Sequence, residues 1–179
     1  MTIDDIKLSI NNEKIFKECF KDLHKFMMRK KWYGACHATT AVMYAICRVL
    51  DIECVPCIGE VYYKTFFDHS WLLINNNIFD LAITMPFEMS FSNGPIFNSI
   101  NLSSGEEKTI KYGVIYSGLD EQATIVYSMS IYSYLYNSPS INLIQLIIDI
   151  LKQNGVFVTR SRLEKIMGDD VWKYVDNHE

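Results

Sequence analysis

Apolar residues recur at three- and four-residue steps through Ile15, Phe16, Cys19, Leu23, Phe26 and Met27, which predicts an amphipathic helix over residues 12–31. Arg29, Lys30 and Lys31 close it, where positive charge suits the carbonyl end of a helix. Gly34 then breaks the pattern. Residues 36–50 carry two apolar stripes, one of Met43, Ile46, Cys47 and Leu50, the other of Ala38, Val42, Ala45 and Val49. Arg48 is its one charged residue, so this helix is expected to be buried and central. Strand patterns follow at about 54–64, 69–74 and 78–83, and Asn75-Asn76-Asn77 signals a hairpin turn between the last two. Residues 87–109, rich in Ser, Asn and Gly and carrying Pro95, predict a long surface loop, followed by a strand near 111–116. Residues 120–136 are read as a helix, although Tyr127, Met129, Ile131 and Ser133 also alternate. Ser140 is expected to cap a helix ending near Gly155. Ser161 and Glu164 have capping-box spacing for a last helix to about 175.

These elements predict one α+β domain over residues 1–179, with an N-terminal catalytic helix packed on an antiparallel sheet. Helices from about 120 onward would cover the sheet or shape a cleft. A hydrophobic share of 49% against 21% charged residues fits an ordered globular chain. The formal net charge of −4 gives no general attraction to nucleic acid. The most apolar stretch, 141–151, is too short and too polar to span a bilayer. No secretory h-region follows the acidic start Thr2-Ile3-Asp4-Asp5, and five cysteines make an odd number. Reduced thiols and a cytoplasmic setting are the expectation.

Three residues change the picture from fold to chemistry. Cys36 opens the buried helix, His69 opens a strand, and Asp80 lies in the next strand. A thiolate is the nucleophile, and a helix N-terminus and a nearby imidazolium both favour it. The same ring can return the proton to a leaving group, and free N–H groups at the helix start can hold an oxyanion. Strand parity makes a further commitment. If Asn75-Asn76 is a two-residue turn, Ile74 pairs with Asn77 and Trp71 with Asp80, which puts Asp80 on the face of His69 and diagonal to it. A slip of one residue would send Asp80 to the other face. Asp68 points to that other face and is a poor orienter.

The order Gly34-x-Cys36, then Leu50 to Glu60, then His69-Ser70-Trp71 and Ile78-Phe79-Asp80, resembles the transglutaminase-like superfamily over about residues 33–84. The resemblance implies a papain-like α+β fold with Cys36 as nucleophile, His69 as base and Asp80 as orienter. It implies a cysteine-dependent hydrolase or acyltransferase acting on a peptide or protein amide through a thioester. A catalytically inactive binding domain of the same fold is the alternative. The interval of 11 residues from His69 to Asp80 requires a tight hairpin. The Arg-x-Gly-Gly-x-Cys context of arylamine N-acetyltransferases is absent.

Trp32 and Tyr33 are the candidates for an oxyanion side chain, and His37 and Trp71 for the substrate rim. His37 is expected at the surface or rim because adjacent helical residues do not face each other. His24 and His178 are read as solvated. Cys54 and Cys57 form a Cys-x-x-Cys, but strand spacing puts them on opposite faces and no second pair completes a zinc site. They, with Cys19 and Cys47, are read as core. The tyrosines between 127 and 136 are expected against the sheet. The basic residues Lys152, Arg160, Arg162 and Lys165 are expected to form a solvated face. No metal, organic cofactor, nucleic acid or membrane partner is expected.

Overall fold

The computed structural model of the chain describes residues 1–86 and 93–176. Helix α1 spans Glu13–Lys30 and α2 spans Cys36–Val49. Strands β1 (Val55–Tyr63) and β2 (Thr65–Ile74) form a long antiparallel hairpin, and β3 (Asn77–Phe79) adds to the outer edge of β2. A small hairpin of β4 (Ile96–Phe97) and β5 (Ile100–Asn101) precedes β6 (Lys111–Val114), which pairs with the free side of β1. Four helices follow: α3 (Glu121–Tyr127), α4 (Ile131–Tyr136), α5 (Leu143–Gln153) and α6 (Arg160–Met167). Strand β7 (Lys173–Tyr174) returns to β1 as its parallel neighbour. The architecture is mixed α+β around a mostly antiparallel sheet, and no described helix is long and apolar enough to cross a membrane.

Helix α2 sits at the centre, as its two apolar stripes require. One side meets β1 and β2, and the other meets α1, α4, α5 and α6. The larger core joins Ala41, Val42, Ile46 and Cys47 of α2 to Ile58, Leu72 and Ile74 of the sheet and to Leu143, Ile147 and Leu163 of the later helices. Of the two roles expected for those later helices, covering the sheet or shaping a cleft, the first is corrected: they pack on α2. A second core fills the opposite face of the sheet with Cys57, Val61, Trp71, Ile83, Ile96 and Tyr112.

The β2–β3 turn has the register that the parity argument demands. Ile74 pairs with Asn77, Leu73 with Ile78 and Leu72 with Phe79, and the ladder ends there, one step before the Trp71–Asp80 pair. Asn75 and Asn76 have φ of 50° and 62°, the left-handed pair of a type I′ turn. Replacing both with Ala should cost about 1 kcal/mol, because Ala lacks the short polar side chain whose local hydrogen bonds offset the left-handed penalty for Asn. Urea unfolding of the double variant checks this, with Asn76→Gly expected at or above wild-type stability.

Several expectations are corrected. Residues 95–101 are no surface loop: Ile96 and Phe97 are fully buried, and Phe97 packs edge-on against Phe20 and Phe79 at 4.9 Å each. Residues 87–92 of that stretch, and His178, lie outside the described residues. The third predicted strand ends at Phe79, since Asp80 turns its backbone to Ile96 with hydrogen bonds of 2.9 and 2.8 Å. The helix expected over 120–136 is two short ones, because Ser130 caps the second through Ser133. Asn142, not Ser140, caps α5, and Thr159, not Ser161, caps α6. Helix α6 stops before Gly168, and the chain runs extended to β7 where a helix to 175 was expected.

Candidate active site

Cys36 is the first residue of α2, and the left-handed φ of Gly34 (66°) turns the chain into that helix. The amide of Gly34 donates to Met85 O at 3.0 Å, which ties the turn to the segment just after Asp80. Ala35 is the N-cap and has no side chain to cap with, so no side chain occupies the first N–H groups of α2. Those groups and the helix dipole act on the thiol from one side.

His69 and Asp80 act from another. His69 Nε2 donates to Asp80 Oδ2 at 2.7 Å, and both residues are 3% exposed. Tyr112 Oη donates to the same carboxylate oxygen at 2.7 Å, and the amide of Ile83 donates to Oδ1 at 3.2 Å. Tyr112 reaches the carboxylate beside a bulge. The pairing slips between Glu60 and Val61, and Gly113 takes up the extra residue with φ of 73°. A strand near residue 111 was legible in the sequence, but its Tyr–carboxylate bond was not. No local signal says which strand will lie against Asp80. Asp68 indeed faces away, accepting from the amide of Asp120 at 2.7 Å.

With Nε2 committed to Asp80, Nδ1 is the nitrogen of His69 left for the sulfur, and the thiol of Cys36 lies within electrostatic reach of both His69 and His37. Burial alone would keep Cys36 protonated. The charges and hydrogen bonds of His37, and then of His69, overcome that and set its pKa well below the ordinary thiol range. Burial disfavours charge on His69 too, but the Asp80 charge and hydrogen bond raise its pKa to about 10. Both shifts favour the thiolate–imidazolium form of the pair.

His37 is half-buried, a rim position and not a fully exposed one. Its Nδ1 lies 2.7 Å from Ser70 Oγ, and its ring meets the rings of Tyr134 and Trp172 edge-on at 6.5 and 6.2 Å. It nevertheless acts on the Cys36 thiol beside it. Trp172 arrives here because α2 holds the chain after α6: Tyr44 donates to Asp170 at 2.9 Å and Arg48 pairs with it at 3.2 Å. The indole Nε1–H of Trp172 is buried with no hydrogen-bond partner among the described residues. Tyr134 thus packs on the site, not on the sheet. Sequence reasoning missed Trp172, Tyr134, Ser70 and Tyr112 together, since they come from four separate segments.

Of the other expected rim residues, Trp71 is 1% exposed and packs against Tyr112 at 5.1 Å, so it is core. Trp32 is half-buried against Phe26, and Tyr33 is exposed at the approach to Gly34. His24 is half-buried with its Nε2 enclosed, and burial lowers its pKa. All five cysteines are free, Cys57 is pushed up to about 12 by burial, and Cys54 hydrogen-bonds with Cys47. Among the described residues no group of three or more His, Cys, Asp or Glu is placed to hold a metal ion. Arg160 of the basic cluster lies over the Tyr136 ring at 4.5 Å.

Comparison with protein-family models, curated proteins and solved structures finds no match.

Proposed function

We propose that this chain is a cysteine-dependent acyl-transfer enzyme, a hydrolase or acyltransferase acting on a peptide or protein amide, built on a papain-like core of the transglutaminase-like kind. One observation carries the reading: a thiol at the start of a buried helix touches an imidazole whose other nitrogen is bonded to a buried carboxylate. Cys36 attacks the carbonyl carbon, a C–S bond forms, and the uncapped N–H groups of α2 face the oxyanion. Trp172 offers an unused donor in the wall beside them. His69 gives its proton to the departing amine as the C–N bond breaks, and Asp80 and Tyr112 fix the ring. The thioester then passes to water or to an amine.

Brief incubation with p-nitrophenyl acetate followed by acid quench and peptide mass mapping tests this. An acetyl adduct at Cys36, absent from Cys36→Ala and discharged by added hydroxylamine, is the expected result. A wild-type protein that takes no acetyl group at Cys36 is instead an inactive binding domain.

A further inference from the structure

The reading above uses one imidazole, but the sulfur has two. We propose that His37 is a second catalytic imidazole, the general base that activates the nucleophile entering at the acyl-enzyme, while His69 is the general acid that protonates the leaving amine. This rests on the acyl-enzyme chemistry proposed for Cys36 and divides its two half-reactions between two rings.

The placement is built. Ser70 Oγ takes Nδ1 of His37 at 2.7 Å, which leaves Nε2 for the sulfur side. Tyr134 and Trp172 hold the ring edge-on, and those two rings stand 5.8 Å apart at 85°. Ser70 is the residue after His69 on β2, so one strand supplies the first imidazole and orients the second. His37 is half-buried whereas His69 is 3% exposed, so the ring nearer solvent is the one an entering nucleophile meets. The titratable groups around His37 are Cys36, His69, Asp120 and Tyr134.

The proton inventory closes. Burial lowers the pKa of His37, but the Cys36 charge and hydrogen bond raise it above the ordinary value. At pH below that raised value the resting site holds a thiolate and two imidazolium rings. In acylation the C–S bond forms, the C–N bond breaks, and the amine leaves with the proton of His69. The thiolate charge is now gone, and with it the main support for the proton on His37. His69 still has Asp80, so the proton passes from His37 to His69. Neutral His37 then removes the proton of water or of an amine as that atom bonds to the acyl carbon and the C–S bond breaks. Thiolate and two imidazolium rings are restored.

Stopped-flow kinetics with p-nitrophenyl acetate separate the steps. In His37→Gln, read at about pH 8 where His69 alone suffices to form much thiolate, the acetylation burst persists. The turnover that follows slows about 10²-fold, and the acetyl group accumulates on Cys36. The deacylation pH profile loses its rising limb. Ser70→Ala, which leaves the ring in place but unoriented, shifts the same ratio in the same direction by a smaller factor. It decides the matter should His37→Gln not fold. Deacylation at the wild-type rate in both variants, or burst and turnover falling by one common factor, overturns the assignment of His37 alone. A wild-type protein without the burst overturns the acyl-enzyme reading beneath it.

Discussion

Asp80→Ala should lose about 3 kcal/mol of stability in urea unfolding, more than any other single change at the site. Three donors converge on that carboxylate, from His69, Tyr112 and the amide of Ile83, and all are buried with it. Removing the acceptor strands them in an apolar setting, at a cost of roughly 1–3 kcal/mol for each unmet buried group. The total stays below their sum because His69 sheds its proton once the carboxylate is gone. Asp80→Asn keeps the volume and one acceptor oxygen, so about half that loss is expected. Both variants should slow thiol labelling at pH 6 to the same degree, since both remove the charge that raises the pKa of His69 and leave only His37 to favour the thiolate. An Asp80→Ala protein as stable as wild type would show that the carboxylate is not anchored as described.

The second large effect lies in the pH dependence of Cys36 alkylation. An ordinary thiol is almost wholly protonated at pH 6, whereas the lowered pKa of Cys36 keeps it ionised. Iodoacetamide should therefore label Cys36 at pH 6 at least about tenfold faster than free thiol, allowing for the weaker nucleophilicity of a low-pKa thiolate. The signs fix the window. A lowered thiol pKa gives an advantage that is present above it and lost as pH falls through it. A raised imidazole pKa gives one that is present at low pH and lost as pH rises through about 10. Labelling should be flat between these limits, and the ion pair should stabilise the fold most between the ordinary imidazole and thiol values of 6.5 and 9.0, falling off on either side. His69→Ala should move the lower limb upward by more than one pH unit. An ordinary thiol profile, unchanged by that substitution, would sink the ion-pair description.

Periodicity carried the first half of the fold. Helices 13–30 and 36–49 and the strands of the first hairpin fall within a few residues of the predicted bounds, because each pattern is long and faces one core. The second half was less legible. Ile96 and Phe97 are a two-residue apolar pair beside a polar run, too short to show a period, yet they fill the core and hold the backbone of Asp80. The last helix was drawn too long because Trp172 and Val175 extend its apolar spacing. Their real partners are His37, Tyr134 and the sheet, all far away in sequence.

The sequence by itself determined that Cys36 opens a buried helix and that His69 and Asp80 share one face of a tight hairpin. Both follow from short-range rules: helical periodicity, strand alternation and the positive φ that paired asparagines accept. Only the tertiary structure decided what surrounds the three. Tyr112 meets Asp80 through a bulge, Ser70 orients His37, and Asp170 brings Trp172 to the same wall through α2. Each is a single side chain meeting a partner on another element. Such a pairing depends on how elements pack, and no local pattern encodes it.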